Sequence, residues 1–147
     1  MKEISLNWNP TSPYLFEADG PNGSKVQMDA TEAGGGEGRA VSPKMMLLLS
    51  LAGCTGIDVL SILRKMRLEV TSYRLDIKGI EEAELPKKFD KIIVEHVLTG
   101  PNLRQDAVDR AVKLSHEKYC GVSASLEQTV EIEMTGRIAE PAQVAGE

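Results

Sequence analysis

The sequence predicts an α+β domain, and three observations carry the prediction. The N-terminal residues alternate apolar and polar side chains with the period of short strands. A long segment opened by Ser42 and Pro43 is apolar on every side through its first half. A second segment, beginning near Asn102, repeats its apolar residues at helical spacing and is flanked by further strand-like runs.

Residues 3–9 set Ile4, Leu6 and Trp8 against polar neighbours, and Pro10 and Pro13 close the run. Residues 14–18 read as a second short strand. The turn chemistry of Asp19, Gly20, Pro21, Asn22 and Gly23 then leads into a third strand over residues 24–30. The glycine-rich stretch at residues 34–38 is expected to be a mobile loop; it lacks the Lys-Ser/Thr ending of a phosphate loop. Ser42 as N-cap and Pro43 at the first helical position start a helix expected to reach about Arg67, where Arg64, Lys65 and Arg67 suit the negative end of the dipole. Its first half, apolar on every side, is expected to be enclosed by protein. Residues 69–79 and 92–98 read as strands separated by a charged connection. Asn102 and Gln105 form a capping pair for a second helix ending near Tyr119, followed by a short turn or helix over residues 122–126 and a last strand over residues 129–134. The domain is expected to span residues 1–136, with residues 137–147 as a loose tail.

Composition narrows the functional classes. In 147 residues, Lys and Arg number 17 against 22 Asp and Glu, a formal charge of −5 that is ill suited to neutralising phosphates. Aromatics at 4% leave no stacking platform for single-stranded bases, so no nucleic-acid partner is expected. The apolar run at residues 45–66 approaches the length of a membrane span, but Asp58 lies inside it at a cost of about 2.5–3.5 kcal/mol near a bilayer centre. A core helix and no membrane partner are therefore expected. Two cysteines are too few for a stapled secreted domain, and residues 1–9 have no apolar signal core, so a reducing cytoplasm is the expected compartment.

Cys54 sits deep in the apolar helix between Gly53 and Gly56, glycines that each cost about 1 kcal/mol in a helix interior and suggest a close approach. Cys120 stands at the junction between the second helix and the short one after it, where a helix N-terminus would lower a thiol pKa. Asp58, one turn after Cys54 on the same face, needs a partner, with Arg39, Lys44 or Arg64 as candidates. His116, four residues before Cys120, could share its face, while His96 reads as a surface residue among charges. No CxxC or HxxxH pairing is present, so no metal site is expected, and no cofactor motif appears. Spacing leaves open whether the cysteines are core filler or redox groups.

Taken together, Ser42-Pro43, the Cys54 context Ala-Gly-Cys-Thr-Gly-Ile-Asp-Val, and Glu117-Lys118-Tyr119-Cys120-Gly-Val-Ser resemble the OsmC/Ohr family of osmotically inducible and organic hydroperoxide resistance proteins. The resemblance spans essentially the whole chain and is greatest to the OsmC-like branch. It implies an OsmC-like fold: antiparallel sheets packed around a long buried central helix, in a tightly intertwined homodimer. It also implies a thiol-dependent peroxidase acting in the oxidative stress response. The first cysteine, here Cys54, attacks the peroxide; the second, Cys120, condenses with the sulfenic acid to a disulfide; and a dithiol such as reduced lipoamide reopens it.

The family's hydroperoxide-resistance members activate the thiolate with a Glu at the start of the long helix and an Arg from the N-terminal sheet. Here Lys44, Met45 and Met46 follow Pro43, and residues 3–30 contain no Arg. Arg39 and Asp58 are the remaining candidates for support of Cys54. The alternative is a thiol–disulfide or small-molecule binding protein of the same fold.

Overall fold

The computed structural model describes residues 1–141, and these fall into two compact units, Met1–Leu47 and the chain from Leu48 onward. In the first unit, strands β1 (Asn7–Trp8), β2 (Phe16–Asp19) and β3 (Lys25–Met28) make an antiparallel sheet in the order β1-β2-β3. Trp8 pairs with Phe16 and Ala18 with Val26. β1 is shorter than the alternation predicts, because Ile4 and Leu6 stay exposed and outside the ladder. The glycine-rich stretch is an ordered turn rather than a mobile loop. The backbone N–H of Gly36 donates to the Thr31 carbonyl at 3.0 Å and that of Gly38 to the Ala30 carbonyl at 3.2 Å. A Cβ on Gly36 would lie 2.2 Å from the Ala30 carbonyl oxygen, so only glycine lets the two backbone segments meet.

Helix α1 (Pro43–Lys65) starts where the Ser42-Pro43 signal places it, with the Met46 N–H bonded to the Ser42 carbonyl at 2.9 Å. One stripe, Leu48, Leu51, Ala52, Thr55, Gly56, Val59 and Leu63, is buried at the i, i+3, i+4 spacing of a helix face. The expected all-round enclosure is not met within one chain: Met45, Leu47, Leu49 and Ile57 face outward, Ile57 at 71% exposure.

The remaining elements are β4 (Ser72–Glu81), β5 (Phe89–Thr99), helix α2 (Gln105–Leu114), helix α3 (Gly121–Leu126) and β6 (Glu131–Ile138). The second sheet, β4-β5-β6, is mixed rather than antiparallel: β4 pairs antiparallel with β5, and β5 parallel with β6. The helices between β5 and β6 supply the crossover that parallel neighbours require. Two large apolar clusters fill most of this unit, beside the small contact of Val97 with Ala139. One gathers Val59, Leu63, Leu68, Leu98, Val108 and Val112. The other gathers Leu48, Leu51, Phe89, Ile92, Val94, Cys120 and Val130.

Three expectations are revised. The N-cap of α2 is Arg104, and Gln105 is not part of a capping box; its amide donates at 2.7 Å to Asp109 and at 2.7 Å to the Gly136 carbonyl. The helix does not run unbroken to Tyr119 but passes into a single π-turn, Ser115–Tyr119. The chain after residue 136 is not loose at once. Arg137 and Ile138 belong to β6, and Ala139 is buried, its N–H bonded to the Leu98 carbonyl at 2.8 Å. The last six positions of the expected tail, 142–147, lie outside the described residues.

Candidate functional site

Cys54 and Asp58 stand one turn apart on α1, so the helix repeat places a thiol and a carboxylate side by side. Cys120 arrives from the far side as the N-cap of α3, where the Ser123 N–H donates to its sulfur at 3.3 Å. The two sulfurs and an Asp58 carboxylate oxygen lie within 4.8 Å of one another. One residue widely separated in sequence from the first pair thus completes the cluster through tertiary packing. Both sulfurs are free thiols; Cys54 is half-buried and Cys120 only 2% exposed.

A hydroxyl relay holds the carboxylate. Ser115 Oγ donates to Asp58 Oδ2 at 3.0 Å, and Thr55 Oγ1, 2.8 Å from Ser115 Oγ, donates to it in turn. Thr55 and Ser115 are fully buried, so each satisfies the other where water does not reach. Asp58 therefore takes its partner from the π-turn instead of from Arg39, Lys44 or Arg64. Ser115 was missed from sequence because nothing local links position 115 to position 58. The π-turn, which adds a residue to the helical repeat, is where such a contact concentrates.

Arg39 lies in the first unit, where its backbone N–H donates to Asp29 Oδ2 at 3.0 Å and its guanidinium reaches Thr11 Oγ1 at 3.3 Å and Glu37 at 3.5 Å. His116 is not bonded to Cys120; its Nδ1 is 2.7 Å from Ser123 Oγ, on the residue whose backbone caps the sulfur. His96 is not a surface residue. It is fully buried on β5, its Nδ1 2.6 Å from the Tyr73 hydroxyl and its Nε2 without a partner among the described residues.

The electrostatics of Cys120 run opposite to the helix-end expectation. Burial pushes its thiol up to about 11; the Ser123 N–H opposes that rise, and the neighbouring Cys54 sulfur adds to it. Six residues of α3 give a weak dipole, and the loss of water outweighs it. Gly56 marks the close approach expected of a glycine in α1: a Cβ there would sit 3.3 Å from Leu75 Cδ1. Gly53, in contrast, faces open space.

Asp58 also forms part of the wall of a cleft of about 320 Å³, lined as well by Ile62, Met66, Leu114, Arg110 and Tyr119. The cluster thus has a half-buried sulfur for attack, a buried sulfur within reach of it, and a carboxylate shared between the cluster and the cleft.

The family model described as OsmC-like protein matches residues 34–135, a span that holds both cysteines and Asp58. Among curated proteins, the chain is 38% identical over 130 residues to Protein YhfA of Escherichia coli K12, covering 88% of this chain and 92% of that one. Among solved structures, a hypothetical protein from Aquifex aeolicus VF5 superposes with a TM-score of 0.82 at 29% identity, covering 95% of this chain and 96% of that one. An organic hydroperoxide resistance protein OsmC from Legionella pneumophila shares the fold, with a TM-score of 0.65 at 17% identity and coverage of 91% and 94%.

Proposed function

The chain belongs to the OsmC-like family, and from that membership and the convergence of its two sulfurs we propose that it is a thiol peroxidase that reduces organic hydroperoxides or hydrogen peroxide. The observation that carries the reading is the placement of Cys54, Asp58 and Cys120 within 4.8 Å of one another.

Cys54 is the attacking sulfur, because it is the one a substrate reaches. Its thiolate takes the distal peroxide oxygen, the O–O bond breaks, and the alcohol leaves with one proton, giving a sulfenic acid. Cys120 then attacks the sulfenic sulfur; the disulfide forms and water departs with the Cys120 proton. A dithiol reductant restores both thiols by exchange. Burial of Cys120 keeps its thiol protonated and out of the first step. The Asp58–Ser115–Thr55 relay fixes the carboxylate beside the reacting pair.

One observation favours a second reading, a thiol–disulfide exchange protein without rapid peroxide turnover. The charged group set beside the sulfurs is a carboxylate, which does not stabilise a thiolate as a cation would. Peroxide consumption by the reduced protein with a dithiol present separates the two. Turnover with a Cys54–Cys120 disulfide trapped by mass spectrometry supports the peroxidase; disulfide exchange without peroxide loss supports the alternative.

The outward face of α1, with Met45, Leu47, Leu49 and Ile57, is the surface we assign to a homodimer in a reducing cytoplasm. Light scattering at micromolar concentration is expected to return twice the mass of one chain, and a stable monomer would remove this assignment.

A further inference from the structure

We propose that the reduced Cys54–Asp58–Cys120 cluster is a binding site for a soft divalent cation, zinc above all. The donor atoms and their geometry suffice for such binding, whether or not the protein turns over peroxide.

Two sulfurs and one carboxylate oxygen are a donor set that selects zinc over hard cations such as magnesium or calcium. Tetrahedral zinc holds sulfur at ~2.3 Å and carboxylate oxygen at ~2.0–2.2 Å, which places such donors roughly 3.5–3.8 Å from one another. The three atoms already lie within 4.8 Å, so closing on a metal asks for side-chain movements of only about an ångström. Elsewhere among the described residues no comparable set of His, Cys, Asp and Glu converges. Each donor is also oriented by a neighbour. Asp58 accepts from Ser115 Oγ at 3.0 Å, Cys120 accepts from the Ser123 N–H at 3.3 Å, and Cys54 is fixed to Asp58 by one turn of α1. Three protein donors leave the fourth position of a tetrahedral ion to water or a small ligand.

Binding displaces one proton from each thiol and leaves the oxidation states unchanged. Joining the sulfurs in a disulfide withdraws two electrons and abolishes both thiolate ligands, so the site exists only in the reduced protein.

Titration of the reduced, metal-free full chain with Zn²⁺ against a chromophoric chelator tests the proposal, with Co²⁺ alone as the spectroscopic probe. One metal per chain is expected, together with thiolate-to-cobalt charge transfer and the intense visible bands of a tetrahedral ion. Cys54→Ser and Cys120→Ser are expected to abolish the charge-transfer band or halve it. The near-isosteric Asp58→Asn should weaken zinc by on the order of tenfold or more while leaving the circular dichroism unchanged. Oxidation with diamide, which takes up the two electrons and two protons, should release the metal. Zinc binding that is equal in wild type, Asp58→Asn and Cys54→Ser, or a cobalt spectrum without thiolate charge transfer, would overturn the site. Peroxide turnover is measured separately in chelator. Its absence would count against the peroxidase alone, and turnover by a protein that binds no zinc would count against the metal site alone.

Discussion

Cys54 with Cys120, and Tyr73 with His96, are two pairs of ionisable groups packed into the same unit, each against its own apolar cluster. Both feel the same force: loss of water disfavours the charged form. It pushes the Cys120 thiol up to about 11, raises the Tyr73 phenol beyond its usual range and lowers the His96 imidazole to about 4. What separates them is access. Cys54 is half-buried, and Asp58 beside it borders an open cleft. His96 is fully buried, and its ring is stacked on Tyr73 with centroids 6.0 Å apart. Burial shifts a proton equilibrium wherever it occurs. It becomes chemistry only where one member of the pair can be reached.

The largest effect expected from breaking this contrast is on the reachable sulfur. Cys54→Ser should lower peroxide consumption by orders of magnitude, whereas Cys120→Ser should permit one turnover and then stop at an oxidised Cys54. Stopped-flow peroxide loss, followed by mass spectrometry of the product, checks both. If the two variants fell equally on the first turnover, the division of labour between the half-buried and the buried sulfur would be lost.

Next in size is the pH response of disulfide closure. With the Cys120 thiol near 11, its thiolate fraction rises about tenfold per pH unit through the neutral range. Closure from a pre-formed sulfenic acid should accelerate accordingly between pH 6 and 9, which single-turnover fluorescence or quenched-flow mass spectrometry measures. A flat profile would mean that the buried thiol is not the attacking group.

The sealed pair should answer in stability instead. The folded His96 pKa of about 4 lies below the ordinary 6.5, so the unfolded chain binds its proton first as pH falls. The stability associated with neutral His96 is therefore complete above pH 6.5 and is lost as pH falls toward 4, an effect of about 3 kcal/mol. Urea midpoints of wild type and His96→Gln across that window test this: the variant should lack that part of the slope. Peroxide chemistry at pH 7 should be the same in both.

Smallest is Tyr73→Phe. It leaves His96 Nδ1 buried without its 2.6 Å partner and should cost about 1–3 kcal/mol at neutral pH with no change in thiol reactivity.

Much of this was legible in the sequence. Ser42 and Pro43 fix the start of α1 by chemistry that operates within four residues, and the Cys54–Asp58 neighbourhood follows from the helical repeat. The failures share a cause, which is that the deciding partner is remote. His96 reads as solvated because charged residues share its strand, yet β5 is buried on both faces from His96 to Thr99 and the imidazole meets the Tyr73 hydroxyl. The parallel pairing of β6 depends on a crossover that no local pattern encodes. Ser115 meets Asp58 at the point where the helix changes pitch, which its own sequence does not announce. Likewise, the elevated Cys120 thiol reflects how deeply α3 is seated, which its own six residues do not specify.

That change of pitch also has a mechanical meaning. Cys54 and Asp58 are mounted on a 23-residue helix and move together, as two points on a stiff rod. Cys120 is carried by a six-residue helix suspended from α2 through one wide turn whose hydrogen bonds span five residues instead of four. If the sulfurs draw together as proposed, the rod is expected to hold its place and the suspension to yield. Movement in the proposed cycle would then fall on residues 115–126 and leave the pairing of Cys54 with Asp58 along α1 as it is.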